Sequence, residues 1–268
     1  MHIDLTGRTA LVTGAGSRRG IGRATALALA ASGAAVACFD LDRTGVRKTA
    51  DAIRRTGGRA LALPGDASRA RDVDRAVAAV VKAWGRLDLL VNNAAVATLK
   101  PALDLSEAEW DRMMTVNLKG YFLFCRAAGR RMVAQGAGSI VNISSISATL
   151  SGDHKVGYSA SKAGINLLTR GLALELGRHG VRVNSVSPGA IATDIVKDAR
   201  LRAVFSRIPP HERTPLGRAG TGADVAPAVV FLASEHAAFI TGADLLVDGG
   251  LTAGQRLPPG GAAQRGRS

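Results

Sequence analysis

Residues 8–40 read RTALVTGAGSRRGIGRATALALAASGAAVACFD, and their order decides the fold. Arg8–Thr13 is a short apolar strand. Gly14–Gly22 is a glycine-rich turn, and Arg23–Ser32 is an Ala/Leu helix that Gly33 ends. Ala34–Phe39 is a second apolar strand, closed by Asp40. A strand that is apolar at successive positions is buried on both faces, and strand, helix and strand in that order make a parallel crossover.

The same alternation continues outward. A helix over Arg43–Arg55 stops at Gly57-Gly58, a third strand covers Ala60–Leu63, a helix covers Asp72–Trp84, and a fourth strand covers Leu87–Val91. Ser106–Gln135 reads as one long helical stretch, with Ser106 placed to cap it and Glu109 three residues on. Strands follow at Ser139–Ile143 and Val181–Val186, around a helix at Val156–Arg178. Asp194–Gly217 is irregular and contains Pro209-Pro210; a helix at Ala223–Ala233 and a strand at Asp244–Val247 close the pattern. This is an α/β chain with a doubly wound parallel sheet and helices on both faces. No internal linker interrupts it, so residues 1–251 are expected to form a single domain. Residues 252–268, rich in Gly, Pro and Arg, are expected to be a disordered basic tail.

Of the 268 residues, 47% are hydrophobic and 21% charged, which excludes disorder over the whole length. The formal charge is +14, from 35 basic and 21 acidic side chains. Such a charge invites a nucleic-acid reading. However, the basic residues are 28 Arg against 7 Lys, scattered along the chain, and Arg256, Arg265 and Arg267 lie in the tail. With no helix-turn-helix and no basic-aromatic stretch, neither nucleic acid nor membrane is expected as a partner, and the charge reads as surface character. The two cysteines, Cys38 and Cys125, sit in apolar stretches as small core residues, which argues against a disulfide framework and for a reducing cytoplasm. Met1-His2-Ile3-Asp4 does not resemble a secretory signal, and no apolar run is long enough for a membrane span. No Cys/His cluster offers a metal site.

Three features carry chemistry. The glycines of the first turn let backbone approach a pyrophosphate, with free N–H groups at the start of the following helix. Asp40, at the end of the second strand, is placed to accept hydrogen bonds from the adenosine ribose and to repel a 2′-phosphate, which favours NAD; a solvated strand-end Asp is the plainer reading. Tyr158 and Lys162 lie four apart on one helix face. Singly they would be a surface pair. A phenol titrates near 10, and a neighbouring ammonium would lower that value toward the range of a working base. Ser145, 13 residues before Tyr158, follows a strand and offers a hydroxyl to a substrate oxygen.

Thr13-Gly14…Gly20-Ile21-Gly22, Asn92-Asn93-Ala94-Ala95, Asn117, Ser145, Tyr158-x-x-x-Lys162 and Pro188-Gly189-x-x-x-Thr193 together resemble the short-chain dehydrogenases/reductases of about 250 residues, over roughly residues 5–251. The resemblance implies a Rossmann-like fold and hydride transfer between a nicotinamide dinucleotide and a secondary alcohol or ketone. It implies Tyr158 as general acid/base, Lys162 lowering the tyrosine pKa and holding the nicotinamide ribose, Ser145 orienting the reacting oxygen, and Asn117 holding a water in the proton relay. Cofactor contacts are implied for Gly14, Arg19, Gly20, Ile21, Gly22, Asp40, Asp66, Ala67, Asn93, Ala94, Tyr158, Lys162, Pro188, Gly189, Ile191 and Thr193, and Asn92 would brace the central sheet. It also implies a homotetramer or homodimer built through the helices of Ser106–Gln135 and Val156–Arg178 and the segment Thr241–Gly250.

Two departures stand out. Five residues, Ala15–Arg19, separate the first two glycines of the loop where the family has three, and Ala95 replaces a common glycine. Arg19 can accompany a 2′-phosphate in NADP-using relatives, whereas Asp40 argues for NAD. Substrate choice is expected to reside in Ser147–Gly157, which includes Asp153, His154 and Lys155, and in a partly apolar lid over 194–215 formed by Ile195, Val196, Leu201, Val204, Phe205 and Ile208. The alternatives are an NADP-dependent 3-oxoacyl thioester reductase and a non-catalytic dinucleotide-binding regulator. The intact Ser145, Tyr158 and Lys162 set argues against the latter.

Overall fold

The computed structural model describes residues 3–195 and 214–254. Val196 to Ile208 of the expected lid, and residues 255–268 of the expected tail, lie outside the described residues.

Seven parallel strands form one sheet: β1 (Thr9–Thr13), β2 (Ala35–Asp40), β3 (Ala60–Pro64), β4 (Leu89–Asn92), β5 (Gly138–Ile143), β6 (Val181–Pro188) and β7 (Asp244–Val247). Their order is β3-β2-β1-β4-β5-β6-β7. The order reverses between β1 and β4, and in a doubly wound sheet the crevice above the carboxyl ends at such a reversal receives ligands. Every crossover is a helix, as expected. Among the described residues the helices are α1 (Ile21–Ala31), α2 (Arg43–Arg55), α3 (Ala70–Trp84), α4 (Glu107–Met113), α5 (Gly120–Gln135), α6 (Val156–Leu176) and α7 (Gly222–Ala233).

The strands are continuously apolar because each face has its own helical layer. Ala10, Val12, Val36, Cys38, Val91 and Val141 pack with α1, α2 and α7. Leu11, Ala37, Phe39, Leu90 and Ile140 pack with α3, α5 and α6. Phe39 meets Phe124 edge to face, with ring centroids 5.1 Å apart.

The structure corrects the long helix expected over Ser106–Gln135. Ser106 and Glu109 do form a reciprocal capping box. However, Met114–Lys119 between α4 and α5 is wound as a π-helix, in which the Gly120 N–H donates to the Thr115 carbonyl. Such wide turns are frequent at functional sites. Asn117 lies in this turn and is fully buried.

Candidate active site

The first half of the site is built at the carboxyl ends of β1 and β4. Gly14 has φ +67°, and a Cβ there would meet the Asn93 side chain and the Ala94 backbone. A Cβ at Gly22 would strike the Gly14 carbonyl and Asn93 Nδ2. Asn93 holds the turn by donating from Nδ2 to the carbonyls of Thr13 (3.0 Å) and Gly14 (3.1 Å). The Thr13 hydroxyl accepts from the Asn93 and Ala94 N–H groups. These glycines therefore let α1 and the β4 end converge. Asn92 points into the core, where Nδ2 donates to Asn142 Oδ1 at 2.9 Å, so it braces β4 against β5.

The start of α1 is open. α2 is capped by Asp42, α4 by Ser106 and α7 by Thr221. Gly20 caps α1 without a side chain, and no acid stands in its first turn. The N–H groups of Ile21 and Gly22 thus offer a positive helix end that no side chain caps. The fit to a dinucleotide pyrophosphate rests on this uncapped terminus and the glycine-enforced approach beside it.

Asp40 stands where a ribose would be sensed. Its Oδ2 accepts from Gly16 N at 2.7 Å and its Oδ1 from Asp42 N at 2.9 Å, and a Cβ at Gly16 would collide with it. Each carboxylate oxygen retains acceptor capacity. Arg19 turns the other way. Its guanidinium meets Asp194 Oδ1 at 2.6 and 2.9 Å, and the Ser17 hydroxyl donates to Asp194 Oδ2. The Arg19 hydrogen bond, aided by the Ser17 hydroxyl, keeps the Asp194 carboxyl below its usual range. The lengthened loop thereby reaches from β1 to the segment after β6, three strand positions away and about 14 Å by the usual spacing. Nothing in the sequence announced this pairing of residues 175 positions apart.

Asp66 closes a local turn, accepting from the Ser68 N–H and hydroxyl on Oδ1, with Arg69 at 3.4 Å from Oδ2. Ala67 is buried, its carbonyl close to the start of α5 at Gly120. After β6, Pro188 ends the strand and Gly189 lies against Asp248, where a Cβ would not fit. Ile191 pairs with Gly220, which fixes the stretch that carries Thr193.

The second half of the site gathers at the end of β5 and the start of α6. Ser145 follows β5, and its Oγ accepts from Ser147 N at 3.0 Å. Tyr158 and Lys162 occupy one face of α6, with the Lys162 ammonium 5.7 Å from the Tyr158 ring centre. Lys162 Nζ donates to the Ile143 carbonyl at 2.8 Å. Asn117 Nδ2 donates to the Val96 carbonyl and to Ser161 Oγ, while its Oδ1 accepts from Val96 N. Ser161 in turn donates to the Tyr158 carbonyl at 2.7 Å. The Asn117 side chain is therefore committed to tying the π turn, the stretch after β4 and the tyrosine turn together.

Burial works against the depression of the tyrosine pKa that the resemblance implies for Lys162. Burial pushes the Tyr158 phenol up to about 12, opposed by a hydrogen bond to the Ser145 hydroxyl. Burial also brings Lys162 down to about 7. Desolvation disfavours both charged forms, and one of the three ammonium donors is held by the Ile143 carbonyl. The resting phenol is consequently protonated, the form that donates to a carbonyl. His154, just ahead of α6, has φ +63°, a left-handed conformation that favours glycine, and its carbonyl accepts from Lys100 N.

Among the described residues no helix is long and apolar enough to cross a membrane, and no His/Cys/Asp/Glu group could hold a metal ion.

A family model described as Enoyl-(Acyl carrier protein) reductase matches residues 14–252. D-threitol dehydrogenase of Mycolicibacterium smegmatis is 43% identical over 252 residues, covering 92% of this chain and 94% of that protein. L-rhamnose 1-dehydrogenase (NAD(P)(+)) of a Sphingomonas species is 43% identical over 249 residues, covering 92% and 97%. The crystal structure of a short-chain type dehydrogenase/reductase from Mycobacterium marinum superposes with a TM-score of 0.88 at 35% identity, over 94% of this chain and 98% of that one. With the glycine-framed crevice and the Ser145, Tyr158 and Lys162 cluster at its mouth, these matches place the chain in the short-chain dehydrogenase/reductase family, as an NAD(P)-dependent oxidoreductase of CH–OH groups.

Proposed function

We propose that this enzyme reversibly oxidises a sugar or sugar alcohol, a secondary carbinol to the ketone or a hemiacetal carbon to the lactone, and prefers NAD. The observation that carries the chemistry is the half-buried Tyr158 on α6, with Lys162 beside its ring and Ser145 at the end of β5. In the oxidative direction the Tyr158 phenol must first give up its proton to solvent through the relay, and the phenolate oxygen then takes the hydroxyl proton while Ser145 holds the same oxygen. In the reductive direction the phenol returns that proton to the carbonyl oxygen. The dinucleotide, when bound, accepts or supplies the hydride. Lys162 keeps a positive charge beside the phenolate as it forms. Asn117 acts by positioning the tyrosine turn, and the wide π turn around it is where a relay water would be held.

Gly14, Gly20, Ile21 and Gly22 would carry the pyrophosphate, with Asn93 and Ala94 behind them. Asp40 would hold the adenosine ribose, and Asp66 and Ala67 the adenine edge. Pro188, Gly189, Ile191 and Thr193 would hold the carboxamide side. The NAD preference rests on two observations: Asp40 stands beside Gly16, and Arg19 is drawn away to Asp194. The polyol class rests on the threitol and rhamnose specificities named for two relatives.

Assembly as a homotetramer is supported by apolar side chains left exposed on the two helices named for it, Phe122 on α5 and Leu167 and Leu174 on α6, and by Leu245 and Leu246 on the terminal strand β7. The unpartnered edge of β7 is the kind of surface a second copy covers. A reducing cytoplasm suits two buried, free thiols, both raised to about 12 by burial.

The test is an optical assay of tetritols, aldoses, a steroid alcohol and a 3-oxoacyl thioester, each with both dinucleotides. Turnover of a tetritol or aldose with NAD is expected. Efficient turnover only of the thioester with NADPH would overturn the reading.

A further inference from the structure

The Ile143 carbonyl accepts two hydrogen bonds, one from Lys162 Nζ at 2.8 Å and one from the Tyr121 hydroxyl at 3.0 Å. Tyr121 opens α5, directly after the π turn, and is 2% exposed. Its ring centre lies 5.4 Å from the Lys162 ammonium, on a par with the 5.7 Å to Tyr158. The ammonium thus sits between two aromatic rings on a shared acceptor. We propose that Tyr121 is a positioning residue, whose ring keeps Lys162 charged in its buried site and whose hydroxyl fixes the carbonyl toward which Nζ is aimed.

The groups facing the ammonium are few. Tyr158 comes from its own helix, Tyr121 from α5 and the Ile143 carbonyl from β5, while the Ser144 hydroxyl binds the lysine's backbone carbonyl. Among the described residues no carboxylate forms a salt bridge with Lys162. Burial alone would strip its charge, and the remaining support is an aromatic face, whose quadrupole attracts a cation most strongly where water is excluded. Tyr121 does not compete as a base: burial and the neighbouring Tyr158 hold its phenol well above the ordinary value.

This inference rests on Lys162 being the partner of Tyr158, but it is tested on the lysine itself. The chain has seven lysines, so lysine carrying ¹³C at Cε gives a tractable spectrum in which Lys162→Met identifies the resonance. Wild-type Lys162 is expected to titrate near pH 7. In Tyr121→Met the midpoint should fall by about one pH unit, the scale of a desolvated cation–ring contact. Tyr121→Phe should stay within about 0.3 unit, because the ring remains. Pentafluorophenylalanine at position 121 keeps the shape and inverts the quadrupole, so it should lower the midpoint at least as far as Met does, even if Tyr121→Met folds poorly. In parallel, the kcat/KM profile of the Met variant should narrow about its optimum while that of the Phe variant does not. A midpoint unmoved by both Met and the fluorinated ring would overturn the proposal, as would loss of activity uniform across pH. Retained turnover in Tyr158→Phe would instead sink the acid/base reading and leave the lysine titration to decide Tyr121 by itself.

Discussion

Replacing Lys162 by Met should destroy activity and yet make the protein more stable below neutrality. Burial lowers the lysine from 10.5 to about 7. At about 1.4 kcal/mol per pH unit, a fall of roughly three to four units sets on the order of 5 kcal/mol against folding when the lysine is fully protonated in both states. Part of that is returned, because Met loses the bond to the Ile143 carbonyl and the contact with two rings, each about 1–2 kcal/mol. The net expectation is a gain of about 2 kcal/mol near pH 6. Between 7 and 10.5 the unfolded chain binds more protons than the folded one, so wild-type stability rises with pH through that window and the gain must shrink. Tyr158, raised to about 12, affects stability only above pH 10, outside the range needed. Urea unfolding at fixed protein concentration, from about pH 6 to about pH 9, reads both sign and trend. A variant less stable than wild type near pH 6, or a gain that does not vary with pH, would refute the reasoning.

Gly22→Ala should cost about 1–3 kcal/mol in urea, because its Cβ has no room against the Gly14 carbonyl and Asn93, and dinucleotide affinity should fall with it; unchanged affinity in calorimetry would remove the glycine turn from the cofactor site. Asp40→Ala should weaken NADH binding by about 10- to 100-fold, the value of charged hydrogen bonds, and weaken NADPH binding less. Wild-type protein that already binds NADPH more tightly than NADH would contradict the assigned preference.

Much of this was legible from residues alone, for identifiable reasons. α2 and β7 fall on the expected bounds, because Gly57-Gly58 stops the helix and the last strand is isolated by glycines. Elsewhere the ends shift by one or two residues, as at α1, where helix begins at Ile21 within the glycine turn. The π turn at Asn117 leaves no mark in the residues because they suit an ordinary helix equally well; the tie from Asn117 to Val96 and Ser161 accompanies the wider winding. The spacing of Tyr158 and Lys162 reports their proximity and not their desolvation, which works against the charged form of each. Tyr121 lies 22 and 41 positions from the carbonyl and the lysine it meets, with no local pattern to mark it.

The account stands most directly on Tyr158. With the carbinol C–H of a turned-over alcohol replaced by deuterium, wild-type enzyme should transfer the label to the nicotinamide ring, read by mass spectrometry of the reduced dinucleotide. Tyr158→Phe should bind the dinucleotide with wild-type affinity and transfer no label. Label transfer at the wild-type rate in Tyr158→Phe would contradict the account.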